Sequence, residues 1–308
     1  MTHLAVAGLQ LELKPGDNLD QIADEVAATK RRFPWIDLVL LGELAAFGAS
    51  AATAQPLPGP AEDRFARIAR DNQVWLVPGS VYEASGDLIY NTAPVINAAG
   101  QVVARCRKLY PFLPYERGIA AGATPCVFDM PKVGRIGVSI CYDMWFPETT
   151  RALACLGAEV VLHPTMTNTV DRDAELAIAR ASAAQNQLWF VDINVSGDLG
   201  FGRSCVYGPG GEVVHEAGTG REVIALDLDL EHVRRVRERG WHGLGQTLKS
   251  FRDGPGPLAP YLPEGRATPA LVDLGPLEVP PARDDLSPDA RRTAGWPTYG
   301  NKPAKADH

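Results

Sequence analysis

Runs of apolar residues alternate with stretches of helical periodicity along the first 253 residues of the chain. Residues 18–33 place Ile22, Val26 and Thr29 on one face, which predicts a helix. Further helices are predicted over residues 60–72, 147–156, 173–186 and 230–239. Strands are predicted over residues 4–13, 36–43, 74–81, 92–97, 102–108, 136–140, 159–163, 188–195, 204–207, 212–215 and 223–228. This mixed order of strands and helices predicts an α/β fold.

The final segment, residues 254–308, differs in composition from the rest of the chain. It holds 11 of the 25 prolines and shows little periodicity. Disorder is one interpretation, and an extended arm docked on a neighbouring subunit is the other. We favour the arm, because the segment has many apolar groups for a free tail: Leu258, Tyr261, Leu262, Leu271, Val272, Leu274, Trp296 and Tyr299. The sequence therefore predicts a globular domain over residues 1–253 and a Pro-rich extension that helps to hold a homodimer or higher homo-oligomer together.

Composition and charge exclude several classes of protein. With 308 residues, 45% of them hydrophobic and 22% charged, the chain can bury a large core, which favours a soluble globular protein. A net charge of −7 and the lack of a basic stripe argue against a nucleic-acid partner. The chain lacks a long apolar run, and its first residues lack the pattern of a signal peptide. We therefore expect no contact with a membrane and a cytoplasmic location.

The cysteines and histidines show no spacing that is typical of a metal site. The five cysteines are odd in number and scattered, which predicts reduced thiols in a cytosolic protein. Cys-x-x-Cys and His-Glu-x-x-His motifs are absent from the sequence, and the six histidines form no cluster. We therefore expect neither a metal nor another cofactor.

Three chemically active side chains close predicted strands. Cys141 follows an apolar run, and the polar Tyr142 and Asp143 come directly after it. Glu43 and Lys108 end two other runs. Each has an ordinary explanation: a buried thiol can be a small hydrophobe, a turn glutamate can be exposed, and most lysines are solvated. Together, however, they supply a nucleophile, a base that burial would strengthen, and a cation, which favours a catalytic site.

In this order and in these contexts, the three residues resemble the nitrilase superfamily of carbon–nitrogen hydrolases. The resemblance runs from Leu4 to about Asp253, and it includes the motifs Leu41-Gly-Glu-Leu44, Arg107-Lys-Leu109, Cys141-Tyr-Asp143, Phe146-Pro-Glu148 and Gly202-Arg-Ser204. It implies a four-layer αββα sandwich in which Cys141 is the nucleophile, Glu43 the base and Lys108 the stabiliser of the oxyanion. It also implies Glu116 as a fourth catalytic member and the backbone N–H of Tyr142 as an oxyanion donor.

Two departures from the family motifs bear on the subclass. True nitrilases usually carry Cys-Trp-Glu at the nucleophile, whereas this chain has Cys141-Tyr-Asp143, which is similar to the amidase and carbamoyl-hydrolase branches. In the helix over residues 173–186, Gln185 stands where the family usually has a glutamate. No role of that acid is therefore carried over. The resemblance implies a small amide or ureido compound as substrate.

Residues after two predicted strands are candidates for holding the rest of the substrate. Thr165, Asn168, Arg172 and Arg203 follow strands that should end at the cleft, and they could hydrogen-bond a polar or carboxylate tail. An ordinary role is also open to them, since an aspartate next to Arg172 could simply cap the following helix.

Three functions agree with the sequence. The first, which we favour, is a cofactor-independent hydrolase that cleaves an amide or N-carbamoyl C–N bond through a Cys141 thioester and releases ammonia; a nitrilase is its variant. The second is a Cys–His hydrolase with His163 as base, because His163 also closes a predicted strand. The third is a non-catalytic binding protein on the same fold.

Overall fold

The computed structural model describes residues 2–256, 258, 261–262 and 268–279. Its helices are α1 (Leu19–Arg32), α2 (Pro60–Asn72), α3 (Pro147–Cys155), α4 (Arg172–Asn186), α5 (Leu230–Arg239), α6 (Thr247–Arg252) and α7 (Pro269–Val272). Its strands are β1 (His3–Gln10), β2 (Glu12–Leu13), β3 (Leu38–Leu41), β4 (Trp75–Val77), β5 (Val81–Ser85), β6 (Leu88–Ile96), β7 (Val102–Arg107), β8 (Ile119–Ala120), β9 (Cys126–Met130), β10 (Gly134–Val138), β11 (Val160–Thr165), β12 (Trp189–Asn194), β13 (Ser196–Gly197), β14 (Cys205–Tyr207), β15 (Val213–Glu216) and β16 (Glu222–Asp229).

The strands form two main sheets. The first orders its strands β16-β1-β3-β4-β6-β5, and β7 and β8 also pair with β6. The second follows the order β15-β14-β12-β11-β10-β9. In the first sheet β1, β3 and β4 are parallel, and in the second β10, β11 and β12 are parallel. Parallel strands end at one edge of their sheet, where ligands usually bind in open α/β sheets.

Apolar side chains fill three layers. One cluster lies between the two sheets and joins Leu40 and Val95 of the first to Val138 and Leu162 of the second. Another packs Val26 of α1 and Phe65 of α2 on the outer face of the first sheet, and a third packs α3 and α4 on the second. The layers therefore run helix, sheet, sheet, helix. The predicted four-layer αββα sandwich is confirmed.

One predicted strand is wrong. Residues 74–81 were expected to form a single strand, but β4 ends at Val77 and a hairpin of β5 and β6 begins at Val81. Gly79, which has a positive φ of 82°, lies in the break. A Cβ atom there would stand 1.8 Å from the carbonyl oxygen of Gly42, so only glycine fits. The bend directs the hairpin, with Tyr82 and Asn91, toward the candidate site described below.

The two sheets meet closely where β3 and β11 end. The backbone N–H of Glu43 donates to the carbonyl of Thr165 over 3.1 Å. Gly42 makes this approach possible, since a Cβ atom there would lie 2.8 Å from the same carbonyl oxygen. The carboxyl end of β3 is thereby fixed against the carboxyl end of β11.

The expectation of five reduced thiols is wrong. Cys106 of β7 and Cys126 of β9 form a disulfide, which joins the first sheet to the second. The spacing in the sequence could not show this, because the two cysteines belong to strands that meet only through packing. Cys141, Cys155 and Cys205 are free thiols. The cytoplasmic location, which relied in part on reduced cysteines, stays a prediction.

Replacing both Cys106 and Cys126 with serine is expected to lower the free energy of unfolding by about 3 kcal/mol, as expected when a cross-link closing a loop of this length is lost. Denaturant titration of the double variant against the wild type measures the difference. Under non-reducing denaturing conditions, Ellman titration of the wild type should find three thiols. Five titratable thiols would contradict the disulfide.

Contacts divide the chain into two compact units. One contains Met1–Phe112 and Glu116–Leu258, and the other contains Leu113–Tyr115 with the chain after Leu258. In the second unit, the described residues include the short helix α7, and the nearby Leu274 is exposed. The predicted anchors Trp296 and Tyr299 lie outside the described residues. Within the described part of the chain, no helix is long and apolar enough to cross a membrane.

Candidate active site

Cys141 opens a tight turn at the end of β10. It has a positive φ of 47° and begins a 3₁₀-helix over Cys141–Trp145. The carboxylate of Asp143 holds this turn, because it accepts the backbone N–H of Ile140 at 2.9 Å. Its other oxygen accepts the N–H groups of Leu109 at 3.0 Å and Tyr110 at 2.8 Å. Asp143 therefore fixes the Cys141 turn to the segment that follows Lys108, a role that its position in the sequence did not reveal.

A buried ion cluster lies beside Cys141. The ammonium group of Lys108 donates to Oε1 of Glu43 at 2.8 Å and to Oε2 of Glu116 at 2.7 Å. Lys108 is 1% exposed and Glu43 3% exposed. The structure thus brings together Glu43, Lys108, Glu116 and Cys141, which arise from four separate parts of the sequence. An ammonium shared by two carboxylates at this depth is strongly oriented.

The β5–β6 hairpin supplies two supporting residues that the sequence analysis missed. The side-chain amide of Asn91 donates to Oε1 of Glu43 at 2.8 Å and to Oε1 of Glu116 at 3.2 Å. The hydroxyl of Tyr82 donates to the same oxygen of Glu116 at 3.2 Å. The signal for Asn91 was a polar residue directly before an apolar strand pattern. Both residues leave the carboxylates few alternative orientations.

Charges and burial set the protonation of this group. Burial raises the pKa of Glu43 above 4.5, although Lys108 acts in the opposite direction. Burial and the nearby Glu43 raise the pKa of the Cys141 thiol well above its ordinary value, and Lys108 lowers it in part. Burial alone would lower the pKa of Lys108, but Glu43 and Glu116 raise it instead. For Glu116 the effect of Lys108 outweighs burial and lowers the pKa.

These pKa shifts describe a protonated Cys141 thiol next to a basic Glu43 carboxylate. Among the charged groups, Glu43 acts most strongly on the Cys141 thiol, and its raised pKa makes it a stronger base than an ordinary glutamate. Lys108 remains charged across the neutral range. The arrangement can take the proton from the thiol and stabilise negative charge that forms next to it.

His163 is not placed to act as the base. His163 was expected to close a strand. β11 continues to Thr165, however, so His163 lies within the strand. Its ring is fully buried, and Nδ1 is 2.7 Å from the hydroxyl of Ser139. Burial lowers the pKa of His163 to about 4, which makes it a weak base. The geometry favours Glu43 over His163 as the partner of Cys141.

Cys141 borders a cavity of about 260 Å³. Phe112, Tyr142 and Trp145 form an aromatic part of its wall, and Asn168 contributes a polar part. Of the residues predicted to bind substrate, the structure thus brings Tyr142 and Asn168 to the cavity. Phe112 and Trp145 were missed because single aromatic residues are common in cores and carry no signal of their own.

The other three predicted substrate-binding residues do not border this cavity. The hydroxyl of Thr165 donates to Asp192 at 2.6 Å, and the guanidinium of Arg172 donates to the same carboxylate at 2.5 Å. Both side chains are buried. Arg203 forms an ion pair with Asp173, the second residue of α4. Apart from Nε of Arg172, which has no partner, their charged and hydroxyl groups are paired within the protein. They are therefore better placed to hold the loop before α4 than to contact a substrate.

Two acidic residues of the cavity wall were also missed. Asp171 and Glu175 border the cavity together with Thr167. Position in the sequence indicated only a helix start for this region, and acids are common in the first turn of a helix. Within the described residues, no group of three or more His, Cys, Asp or Glu side chains is arranged to hold a metal ion.

Comparison with known proteins identifies the class. Residues 3–238 match the family model of the carbon–nitrogen hydrolases, which covers more than half of the chain. The chain therefore belongs to the carbon–nitrogen hydrolase family, and the predicted membership of the nitrilase superfamily is confirmed.

Individual relatives are amidases or members of the same superfamily. The omega-amidases NIT2 of Xenopus tropicalis and of Homo sapiens are each 27% identical over 201 residues, which cover 60% of this chain and 72% of theirs. The structure of Nit3 from Saccharomyces cerevisiae superposes with a TM-score of 0.70 at 28% identity, over 77% of this chain and 94% of Nit3. The structure of a mutant of the amidase from Nesterenkonia sp. AN1 in complex with butyramide superposes with a TM-score of 0.68 at 27% identity, over 77% of this chain and 95% of the amidase.

These findings establish the enzyme class. The chain is a hydrolase of C–N bonds other than peptide bonds.

Proposed function

We propose that the protein is a cofactor-independent amidase that works through a thioester on Cys141. The observation that carries the proposal is the hydrogen-bonded Lys108–Glu43 pair against the Cys141 thiol. Glu43 takes the thiol proton while sulfur attacks the amide carbon, and the carbonyl π electrons move to oxygen. The ammonium of Lys108 and the backbone N–H of Tyr142 stabilise this oxyanion.

The second half of the reaction returns the enzyme to its resting state. The C–N bond breaks as the oxyanion collapses, and protonated Glu43 gives its proton to the leaving nitrogen, which departs as ammonia. Glu43 then takes a proton from water, the oxygen of which attacks the thioester carbon. Breaking the C–S bond frees the carboxylic acid, and the proton returns to the thiol. In this scheme Glu116 positions Lys108, with which it forms an ion pair at 2.7 Å.

The proposal extends to substrate contacts. Asn168 and the ring of Tyr142, both on the cavity wall, contact the part of the substrate beyond the amide. Thr165 and Arg172 act from behind as positioning residues through Asp192. Arg203 holds the first turn of α4 through Asp173.

The enzyme is expected to release ammonia from a small amide or N-carbamoyl compound and to hydrolyse the matching nitrile poorly. An amide presents a carbonyl oxygen that Lys108 and the Tyr142 N–H can hold as it gains charge, whereas a nitrile places that charge on a linear nitrogen. Butyramide, propylurea and butyronitrile should be compared side by side, with ammonia and the second product both measured. A larger kcat/KM for butyronitrile would favour a nitrilase. No ammonia from any small amide would contradict the amidase.

We also propose that the Pro-rich extension contributes to a homo-oligomer. Val272 and Leu274 of the described part are 63% and 76% exposed, which leaves apolar side chains for contact with another subunit. Ending the chain at Asp253 is expected to lower the oligomer mass while residues 1–253 remain folded. Light scattering and thermal denaturation measure the two effects. An unchanged mass with an unchanged melting temperature would contradict the arm.

A further inference from the structure

The cavity next to Cys141 has an unusual charge for a site that was expected to hold a carboxylate tail. Among its described lining residues are two carboxylates, Asp171 and Glu175, and no lysine, arginine or histidine. Arg172, which was expected to supply positive charge, is 1% exposed and does not border the cavity. A substrate with an anionic tail would therefore find no positive partner on this wall.

The negative charge of Glu175 is only partly balanced. Its carboxylate accepts the hydroxyl of Thr167 at 2.9 Å and the guanidinium of Arg172 at 3.0 Å. Arg172 also donates to Asp192 at 2.5 Å and to the carbonyl of Arg203 at 2.8 Å. One guanidinium is thus shared by two carboxylates, which leaves this group with a net negative charge when both are ionised.

The catalytic cluster beside Cys141 has the same imbalance. Lys108 is shared by Glu43 and Glu116. Asp171 adds a further carboxylate, which accepts the hydroxyl of Thr169. When these carboxylates are ionised they outnumber the cations Lys108 and Arg172 around a partly enclosed space, which favours a cation in the cavity.

The remaining wall suits a cation as well. The aromatic rings of Tyr142 and Trp145 border the same cavity, with their centroids 6.2 Å apart. Faces of such rings attract ammonium groups. Glu175 is also not required to neutralise Arg172, since Asp192 already does so. Its hydrogen bonds with Thr167 and Arg172 hold the carboxylate at the cavity wall.

We propose that Glu175 and Asp171 select amides that carry a protonated amine at the end away from the scissile bond. The inference rests on the proposed amidase function and adds the class of substrate. An ammonium group in the cavity would supply the positive charge that Arg172 cannot supply to Glu175 and Asp192 together. A carboxylate at the same place would be repelled by Glu175 and Asp171.

Three amides with the same three-methylene spacer test the proposal. They are 4-aminobutanamide, which carries an ammonium group, pentanamide, which has a methyl group in its place, and glutaramate, which has a carboxylate. The wild-type kcat/KM is expected to be highest for 4-aminobutanamide, intermediate for pentanamide and lowest for glutaramate. The value for 4-aminobutanamide should exceed that for glutaramate by at least about tenfold, the size of effect that a charge-assisted hydrogen bond produces. Preference for glutaramate, or equal values for all three, would overturn the inference while leaving the amidase in place. Turnover of none of them, together with none of butyramide, would contradict the proposed function itself.

Two variants assign the selection to its residues. Glu175→Gln and Asp171→Asn should each lower the ratio of kcat/KM for 4-aminobutanamide over pentanamide, by about tenfold for Glu175, because each removes one negative charge from the wall. Asp63→Asn is the matched control, since Asp63 also lies in the first turn of a helix, α2, is exposed and does not border the cavity. Its ratio should equal that of the wild type. Unchanged ratios in folded Glu175 and Asp171 variants would overturn the assignment. If the Glu175 variant does not fold, the ratio in the Asp171 variant and the order of the wild-type kcat/KM values for the three amides decide.

Discussion

Cys141→Ser is expected to lower kcat for a small amide by at least about a thousandfold while the protein stays folded, since loss of a catalytic nucleophile can cost about a millionfold. The hydroxyl has nearly the size of the thiol, so the turn held by Asp143 should remain. Burial and Glu43 already raise the pKa of the Cys141 thiol. An alcohol in its place would be far harder to deprotonate, and Glu43 could not produce an alkoxide at a useful rate.

Cys205→Ser is the matched control for this change. Cys205 is also a buried free thiol, but it lies on β14 near Asp192 and does not border the cavity. Its variant should keep most of the turnover. Initial rates of ammonia release at saturating amide, with thermal melting of both variants, measure activity and folding separately. Turnover near the wild-type rate in the Cys141 variant would contradict the thioester mechanism.

The residues at strand ends could be predicted from the sequence, because an apolar run and the residue that closes it are local features. Glu43, Lys108 and Cys141 each follow such a run. That they meet is not a local feature. It depends on the close approach of two sheets at Gly42, on the carboxylate of Asp143 between two segments, and on a hairpin that delivers Asn91. The family resemblance predicted that these three side chains lie together, which the periodicity of the sequence could not do.

The direction of a side chain could not be predicted either. Thr165 and Arg172 follow β11, and the expectation that they lie near the cleft is close to what the structure has. Their polar groups, however, turn toward the buried Asp192. A buried carboxylate needs partners, and nearby donors satisfy it before any substrate is present. The disulfide between Cys106 and Cys126 was missed for a different reason: contact between strands of different sheets leaves no trace in the spacing of cysteines along the sequence.

Glu43→Gln is expected to lower kcat by at least about a hundredfold, as loss of a general base does. Glutamine keeps the shape of the side chain and can still accept a hydrogen bond from Lys108, but it cannot take the thiol proton. In the wild type, kcat/KM should fall on the acid side with an apparent pKa above 4.5, because burial raises the pKa of Glu43 and the base must be ionised to act. Since Glu43, Lys108 and Glu116 interact, this apparent pKa belongs to the group.

Glu116→Gln separates the loss of a base from the loss of a negative charge near Lys108. Both carboxylates lie within 2.8 Å of the same ammonium, yet among the charged groups Glu43 acts most strongly on the Cys141 thiol. We therefore expect the Glu116 variant to lose less activity than the Glu43 variant and to keep the acid limb of the pH profile, which the Glu43 variant should lose. Rate profiles from pH 4 to 9 on one amide compare the two. A Glu43 variant that keeps both its rate and its acid limb would leave the thiol proton without an acceptor among these residues, and the role of base would have to be given to another group.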